Sequence, residues 1–444
     1  MLLYYLTIKI KIKIKIEIYY INLNKTNIIL IMSKLIQQYS QFTIDITRDL
    51  SKNEKKEHGI FITPKIIIEK LFHSIMNFIC ENGITIQKIL EPSCGTCEIV
   101  NYCDDIFNGI HIDAIEFNDK IFGRIDSLQF KNKVSIIHQD YIKFNPTIKY
   151  DLIVGNPPYF VLEKDYVISG KMSPYIYGRP NIFGLFIIHS ISMIASNGII
   201  AFIIPKSFLN SAYYSKIRNY IKETCQILEI IDFEKDNKFI DTQQSTFGII
   251  LKKESNSKII SVECNYSIKL GNNFMFTHDS IFLKQLFEGS TTLANLGLSV
   301  RTGNTVWNQH KNELTNDENN TVLIYNTNLT KEHTIDLKSF KNEEKHQYIK
   351  KDGRNDPILV VNRGNGNSKY NLNYALINFG PYLIENHLNE IYSTKKIKKE
   401  DLLLLFNKII TSFENNKTQL FINTFLGNNG LSKTELETIF PIYL

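Results

Sequence analysis

The tetrapeptide Asn156-Pro157-Pro158-Tyr159 carries the sharpest chemistry in this sequence. It follows an apolar run, Tyr150 to Val154, that reads as a strand. Ligands of an open parallel sheet gather at the carboxyl ends of its strands, so Asn156 stands where a ligand is met. Its amide oxygen is one acceptor. The two prolines fix the backbone direction, because proline locks its own φ and restricts its predecessor, and so aim the Pro157 carbonyl as a second acceptor. Two convergent acceptors suit a planar amine whose lone pair is delocalised into a ring. Accepting both of its hydrogens favours a pyramidal nitrogen turned toward an electrophilic methyl carbon. Tyr159 then offers an aromatic face for stacking. A plain turn between strand and helix would use the same residue types.

Three other strand ends complete the set. The first strand runs into Glu91-Pro92-Ser93-Cys94-Gly95-Thr96-Cys97, where small residues let backbone N–H groups approach a ligand and the acid can take an ammonium. Glu116 closes the second strand and suits a pair of ribose hydroxyls, while Asp140 follows the third and suits an adenine amino group. Both acids also fit as helix caps. Cys94, Cys97 and Cys103 have a metal-like spacing but no second Cys or His pair at a suitable distance along the chain, so no metal is implied. His58 and His138 read as surface or packing residues, because methyl addition to an amine needs no strong base.

The elements that must position these residues alternate short apolar runs with amphipathic stretches from about Gly59 to Lys253, the pattern of an α/β domain on a largely parallel sheet. Pro64 opens a helix with Ile67, Leu71, Ile75 and Phe78 at helical spacing. Strands are expected at Lys88 to Leu90, Ile112 to Glu116, Val134 to Gln139, Tyr150 to Val154, Gly198 to Ile204, Ile227 to Phe233 and Phe247 to Leu251. Helices are expected at Asn181 to Ala195 and Ser211 to Thr224. Beyond about Glu263 the periodicity weakens into a turn-rich second unit. Residues 1–31 stand apart: Ile8 to Ile18 alternates Ile with Lys, and Met32 offers a second start, so this stretch reads as a leader or a basic strand.

At 444 residues, two packed domains are expected. The chain is 43% hydrophobic and 22% charged, which excludes disordered and collagen-like classes. A net charge of +6 favours a polyanion only if gathered on one face. Six cysteines in so long a chain read as reduced intracellular thiols, hence a cytoplasmic protein if the source is bacterial and a host compartment if it is viral. No apolar run is long enough to span a membrane.

The motifs occur in the order of a known family. Lys56-Glu57-His58-Gly59-Ile60-Phe61-Ile62-Thr63-Pro64, the Glu-Pro-Ser-Cys-Gly-Thr loop, Glu116, Asp140, the Asn-Pro-Pro-Tyr tetrapeptide, Asn181-Ile182-Phe183-Gly184-Leu185-Phe186 and the Pro205-Lys206-Ser207-Phe208 turn follow one another. Over most of its length from Glu57 the chain resembles the gamma-class adenine-N6 DNA methyltransferases of restriction and modification systems, which some large DNA viruses also encode. The resemblance implies a Rossmann-like, seven-stranded S-adenosylmethionine-dependent methyltransferase domain at 32–262 and a C-terminal mixed α/β DNA-recognition domain at 263–444. It places Thr63, Glu91, Ser93 and Gly95 on the methionine part of the cofactor, Glu116 on its ribose, and Asp140 and Phe186 on its adenine. Asn156, Pro157 and Tyr159 would hold a flipped-out adenine, with Phe239 facing Tyr159 across it. Arg301 and Arg363 would reach guanine edges and Lys369 a phosphate of double-stranded DNA, or remain solvated loop charges. A monomer is expected, with any cognate restriction endonuclease encoded separately. The sequence departs from the family at Cys97, where a glycine is usual, so that side chain must point away from the cofactor.

Overall fold

The computed structural model describes residues 38–57, 59–233, 245–254, 265–270, 273–364, 370–426 and 430–444. The 1–31 stretch, His58, Phe239 and Lys369 lie outside the described residues.

All seven expected strands form: β1 (Lys88–Glu91), β2 (His111–Glu116), β3 (Lys133–His138), β4 (Tyr150–Gly155), β5 (Ile194–Pro205), β6 (Cys225–Asp232) and β7 (Thr246–Lys253). They make one sheet in the order β3-β2-β1-β4-β5-β7-β6. β1 pairs in parallel with both β2 and β4, and β4 pairs in parallel with β5. The chain therefore winds outward in both directions from β1 and β4. Their carboxyl ends flank the switch point of the sheet, where crossovers diverge and leave a crevice.

The strands were legible because a sheet covered on both faces needs continuous apolar runs. Ile89, Leu90, Leu152, Ile153, Val154 and the run from Ile199 to Ile204 are all buried. Each such aliphatic side chain contributes roughly 1.5 to 3 kcal/mol through area removed from water. Six helices matter for the site. After the pair α1 (Gln41–Asp49) and α2 (Lys52–Glu57) comes α3 (Lys65–Asn82), which Pro64 caps and Gly83 ends in the left-handed region at φ 60°. It buries Ile67, Leu71 and Ile75 on one face. α4 (Glu98–Ile106) and α5 (Asp119–Ile125) follow β1 and β2, and α6 (Ile182–Met193) is apolar and buried nearly all round.

Two compact units emerge, and their division is less simple than one boundary near residue 262. As far as the residues are described, the first comprises Met1–Ile168, Arg179–Ile204 and Ile231–Asn256; the second comprises Ser169–Gly178, Pro205–Ile230 and Ser257–Leu444. The reason is visible at Arg218, on the helix Ser215–Thr224. It is fully buried and donates to the backbone carbonyls of Phe208, Ser211 and Phe274, all in the second unit. A buried guanidinium satisfied by three carbonyls is costly to pull away, because each donor would be left unpaired.

The second unit has its own core. Strands Leu298–Thr302, Leu388–Ser393, Ile358–Asn362 and Tyr374–Ile377 form one four-stranded sheet in that order. Helices Lys399–Phe413 and Asn416–Phe425 bury Phe406, Phe413, Phe421 and Phe425 with Phe440 in the same cluster. A second four-stranded sheet joins Leu314–Thr315, Tyr348–Ile349, Thr321–Ile324 and Tyr382–Ile384. Among the described residues no helix is long and apolar enough to cross a membrane.

Candidate active site

A cavity of about 910 Å³ opens within the first unit, beside the ends of β1, β2 and β4. Glu91, Ser93, Gly95, Glu116, Asp140, Asn156, Thr63 and Phe186 all line it. The residues singled out from the strand ends are thus brought together by the fold.

Glu91 is the most constrained of them. It is 1% exposed, and its Oε1 accepts from the Ser93 amide at 3.1 Å while Oε2 has no partner among the described residues. Burial pushes its carboxyl well above the usual glutamate range, against the lowering effect of the Ser93 amide. An unpaired buried carboxylate oxygen is a standing cost that a cationic ligand group would relieve. Its neighbour on β4 is Gly155, where a Cβ would sit 2.5 Å from Glu91 Oε1, so a side chain there would push the carboxyl aside.

The loop after β1 is built from backbone groups. The Cys94 amide donates to the Ile115 carbonyl, and the Gly95 amide to Glu116 Oε2 at 2.9 Å, with Gly95 at φ 54°. Glu116 also accepts from the Asn118 amide through Oε1 at 2.7 Å, and burial raises its carboxyl above the usual range despite these donors. Asn118, not Glu116, is the N-cap of α5. Asp140 caps a short 3-10 turn, accepting from the Ile142 amide at 3.0 Å, and also lines the cavity. Phe186 packs against Tyr141 with ring centroids 4.5 Å apart.

Cys97 adopts the left-handed conformation at φ 65°, as a glycine would, and its side chain is fully buried outside the cavity wall. A non-glycine residue here carries about 1 to 2 kcal/mol of strain, which its buried side chain offsets by a similar amount. Cys97→Ala keeps the strain and loses part of the burial, so it should cost about 1 kcal/mol or more. Cys97→Gly removes both and should be no less stable than the alanine variant. Urea midpoints of the two variants check this order.

On the other side of the cavity, the Asn156 amide is held firmly. Its Nδ2 donates to the Phe61 carbonyl at 2.9 Å and to Thr63 Oγ1 at 3.1 Å, and its Oδ1 accepts from the Tyr159 hydroxyl. The same hydroxyl lies 2.8 Å from the Ile203 carbonyl, and Ser93 Oγ donates to the Asn156 carbonyl at 3.2 Å. Tyr159 departs from its expected role in one respect. Its ring sits between Phe61, at 6.3 Å, and Phe183, at 6.1 Å, and it is not among the residues lining the cavity, although Asn156 and Pro158 are. Pro157 is buried.

A polar clasp that was not anticipated ties the N-terminal helices to this site. Glu98, in the first turn of α4, accepts from the Ser40 amide, Ser40 Oγ and Thr43 Oγ1, and Thr43 Oγ1 lies 2.7 Å from Thr96 Oγ1. Glu54 pairs with Lys120 and Asp49 with Arg124, which brings Asn53 to the cavity wall. Partners so far apart in sequence leave no spacing signal. His138 is a packing residue, stacked on Phe122 and paired with Asp119.

In the second unit the expected DNA readers divide. Arg301 is committed to Glu390 at 2.9 Å and lies over the Tyr392 ring, and Glu390 also takes Arg354. It is thus a cross-strand pair rather than a free reader. Arg363 is exposed, with Nη1 donating to the Asn386 carbonyl. Among the described residues no group of three or more His, Cys, Asp or Glu could hold a metal ion.

The family model of the Eco57I restriction-modification methylase matches residues 18–239, half of the chain. The chain belongs to this family. The modification methylase CviBIII of Paramecium bursaria Chlorella virus NC1A is 26% identical over 92% of this chain and 100% of its own length. The type II methyltransferase M.CvrRI of Paramecium bursaria Chlorella virus XZ-6E is 24% identical over 90% and 98%. A tRNA1(Val) (adenine(37)-N6)-methyltransferase of Aliivibrio fischeri is 32% identical over 27% of this chain and 52% of its own length.

Proposed function

We propose that this protein is a DNA methyltransferase that moves a methyl group from S-adenosylmethionine to the N6 amine of a flipped-out adenine in double-stranded DNA. The observation that carries the reading is that an oriented amide and an unpaired buried carboxylate oxygen share one cavity at the switch point of the sheet. The carboxylate fits a cofactor with an ammonium group. Glu91 would hold that group, with Ser93, Gly95 and Thr63 around the methionine part, Glu116 at the ribose, and Asp140 and Phe186 at the adenine. When bound, S-adenosylmethionine supplies a methyl group on a positively charged sulfur.

The chain's own work is done by Asn156. With its NH2 edge spent on Phe61 and Thr63, Asn156 offers the target its oxygen, one lone pair taken by the Tyr159 hydroxyl and the other left for an amine hydrogen. Together with the Pro157 carbonyl it accepts the two amine hydrogens and stabilises positive charge as it develops on nitrogen. No strong base is needed, because the proton leaves after the methyl has added and the nitrogen carries positive charge. Tyr159 contributes through its hydroxyl, which holds Asn156, while its ring packs between Phe61 and Phe183. The second unit reads DNA, with Arg363 among its contacts.

The full-length viral relatives favour DNA over RNA, since the relative named for tRNA covers only about a quarter of this chain. The test is to incubate the protein with duplex DNA and radiolabelled cofactor, digest to nucleosides and separate them. Label should appear in N6-methyladenine. Label in cytosine, in RNA or in protein instead would overturn the substrate assignment.

A further inference from the structure

We infer that Thr63 is a positioning residue for the Asn156 amide, so that it serves the base side of the reaction rather than only the cofactor side. This rests on the reading just given and goes beyond it, because the resemblance placed Thr63 on the cofactor's methionine.

An asparagine amide has two nearly isosteric orientations, related by a half-turn that exchanges oxygen and NH2. Only one serves this chemistry. With the oxygen toward the target, acceptor meets donor; with the NH2 toward the target, donor meets donor and the amine is repelled. What selects the orientation must therefore lie on the far edge of the amide. There the structure has two acceptors for the two Nδ2 hydrogens: the Phe61 carbonyl at 2.9 Å and Thr63 Oγ1 at 3.1 Å. A flipped amide would set its oxygen against the Phe61 carbonyl, oxygen to oxygen.

Thr63 is the part of this clamp that a side-chain change can remove. It is buried, and the proline after it restricts its backbone to extended conformations. Pro64 is itself fixed as the N-cap of α3, its carbonyl accepting from the Ile67 and Ile68 amides. The Lys65 amide donates to the Gln38 carbonyl, so the segment is held from both sides. The hydroxyl is thus presented to Asn156 from a rigid junction. Without it, one Nδ2 hydrogen is buried with no acceptor, and the amide is freer to turn out of line.

The experiment compares native protein with Thr63→Val and Thr63→Ser, measuring kcat at saturating DNA and cofactor, KM for DNA, and cofactor affinity by calorimetry. Thr63→Val keeps the shape and loses the acceptor. Its kcat should fall roughly tenfold, about 1.4 kcal/mol of barrier, a fall that saturating cofactor does not restore. Thr63→Ser restores the acceptor and should recover most of the rate. An unchanged kcat in Thr63→Val, or a loss of cofactor affinity with kcat intact at saturation, overturns the inference. Should the valine variant fail to fold, Thr63→Ala removes the same hydroxyl with a smaller side chain and the same outcomes apply. Native protein that forms no N6-methyladenine overturns the proposed function itself, whereas active native protein with an indifferent valine variant overturns the positioning role alone.

Discussion

Asn156→Ala is expected to lower kcat by about a thousandfold or more, while cofactor affinity stays within about 1 kcal/mol of the native value. The amide oxygen touches the reacting nitrogen as its charge develops, so its contribution is largest in the transition state and small in the ground state. It makes no bond to Glu91 or Glu116, the groups that would anchor the cofactor. Truncation also leaves the Phe61 carbonyl and the Thr63 hydroxyl without their donor, at a cost of about 1 to 3 kcal/mol in stability. Melting temperature must therefore be recorded with the rate. A folded variant that binds cofactor normally and turns over at the native rate would show that Asn156 is no more than a turn residue after β4.

The second large effect belongs to Glu91, where stability and binding should move in opposite directions. Burial raises its carboxyl in the folded chain, so the folded protein holds a proton that the unfolded chain has released. The sign follows: its contribution to the stability of the empty protein is full below the usual glutamate value and is lost as pH rises through the raised one. Glu116 shifts in the same direction. Glu91→Gln removes the ionisable group and keeps the shape, and should stabilise the empty protein at pH 8 by about 1 to 4 kcal/mol. The gain should shrink toward pH 5. Cofactor affinity should fall roughly 10- to 100-fold, because a charge-assisted hydrogen bond to an ammonium, worth about 1.5 to 3 kcal/mol, is lost. Thermal melts at the two pH values and calorimetric titration test both arms. A glutamine variant less stable at pH 8, with unchanged cofactor affinity, would mean that the carboxylate serves packing only.

What could be read from the sequence divides along a physical line. The strands were legible because both faces of the sheet are covered, and runs such as Ile199 to Ile204 permit little else. The strand-end residues were legible because a parallel sheet gathers them at one edge, whatever the loops do. What escaped were pairings at long range. Phe61 and Thr63 hold Asn156 from more than ninety residues upstream. Arg301 finds Glu390 on a neighbouring strand 89 residues later, which no local pattern announces. The boundary near residue 262 missed the helix around Arg218, because an amphipathic helix reads alike whichever core receives it.

Gly155 and Glu91 also shape how such a chain can vary. The residue just before Asn156 has no room for even a methyl group, because the carboxylate of the adjacent strand fills that space. The two positions are therefore tied in order. A descendant that first exchanged the glycine would push the acid aside and lose its grip on a donor. One that first surrendered the acid for a smaller residue would open the space and let the glycine drift. Lineages that have lost the chemistry should then carry a changed acid beside an intact glycine more often than the reverse.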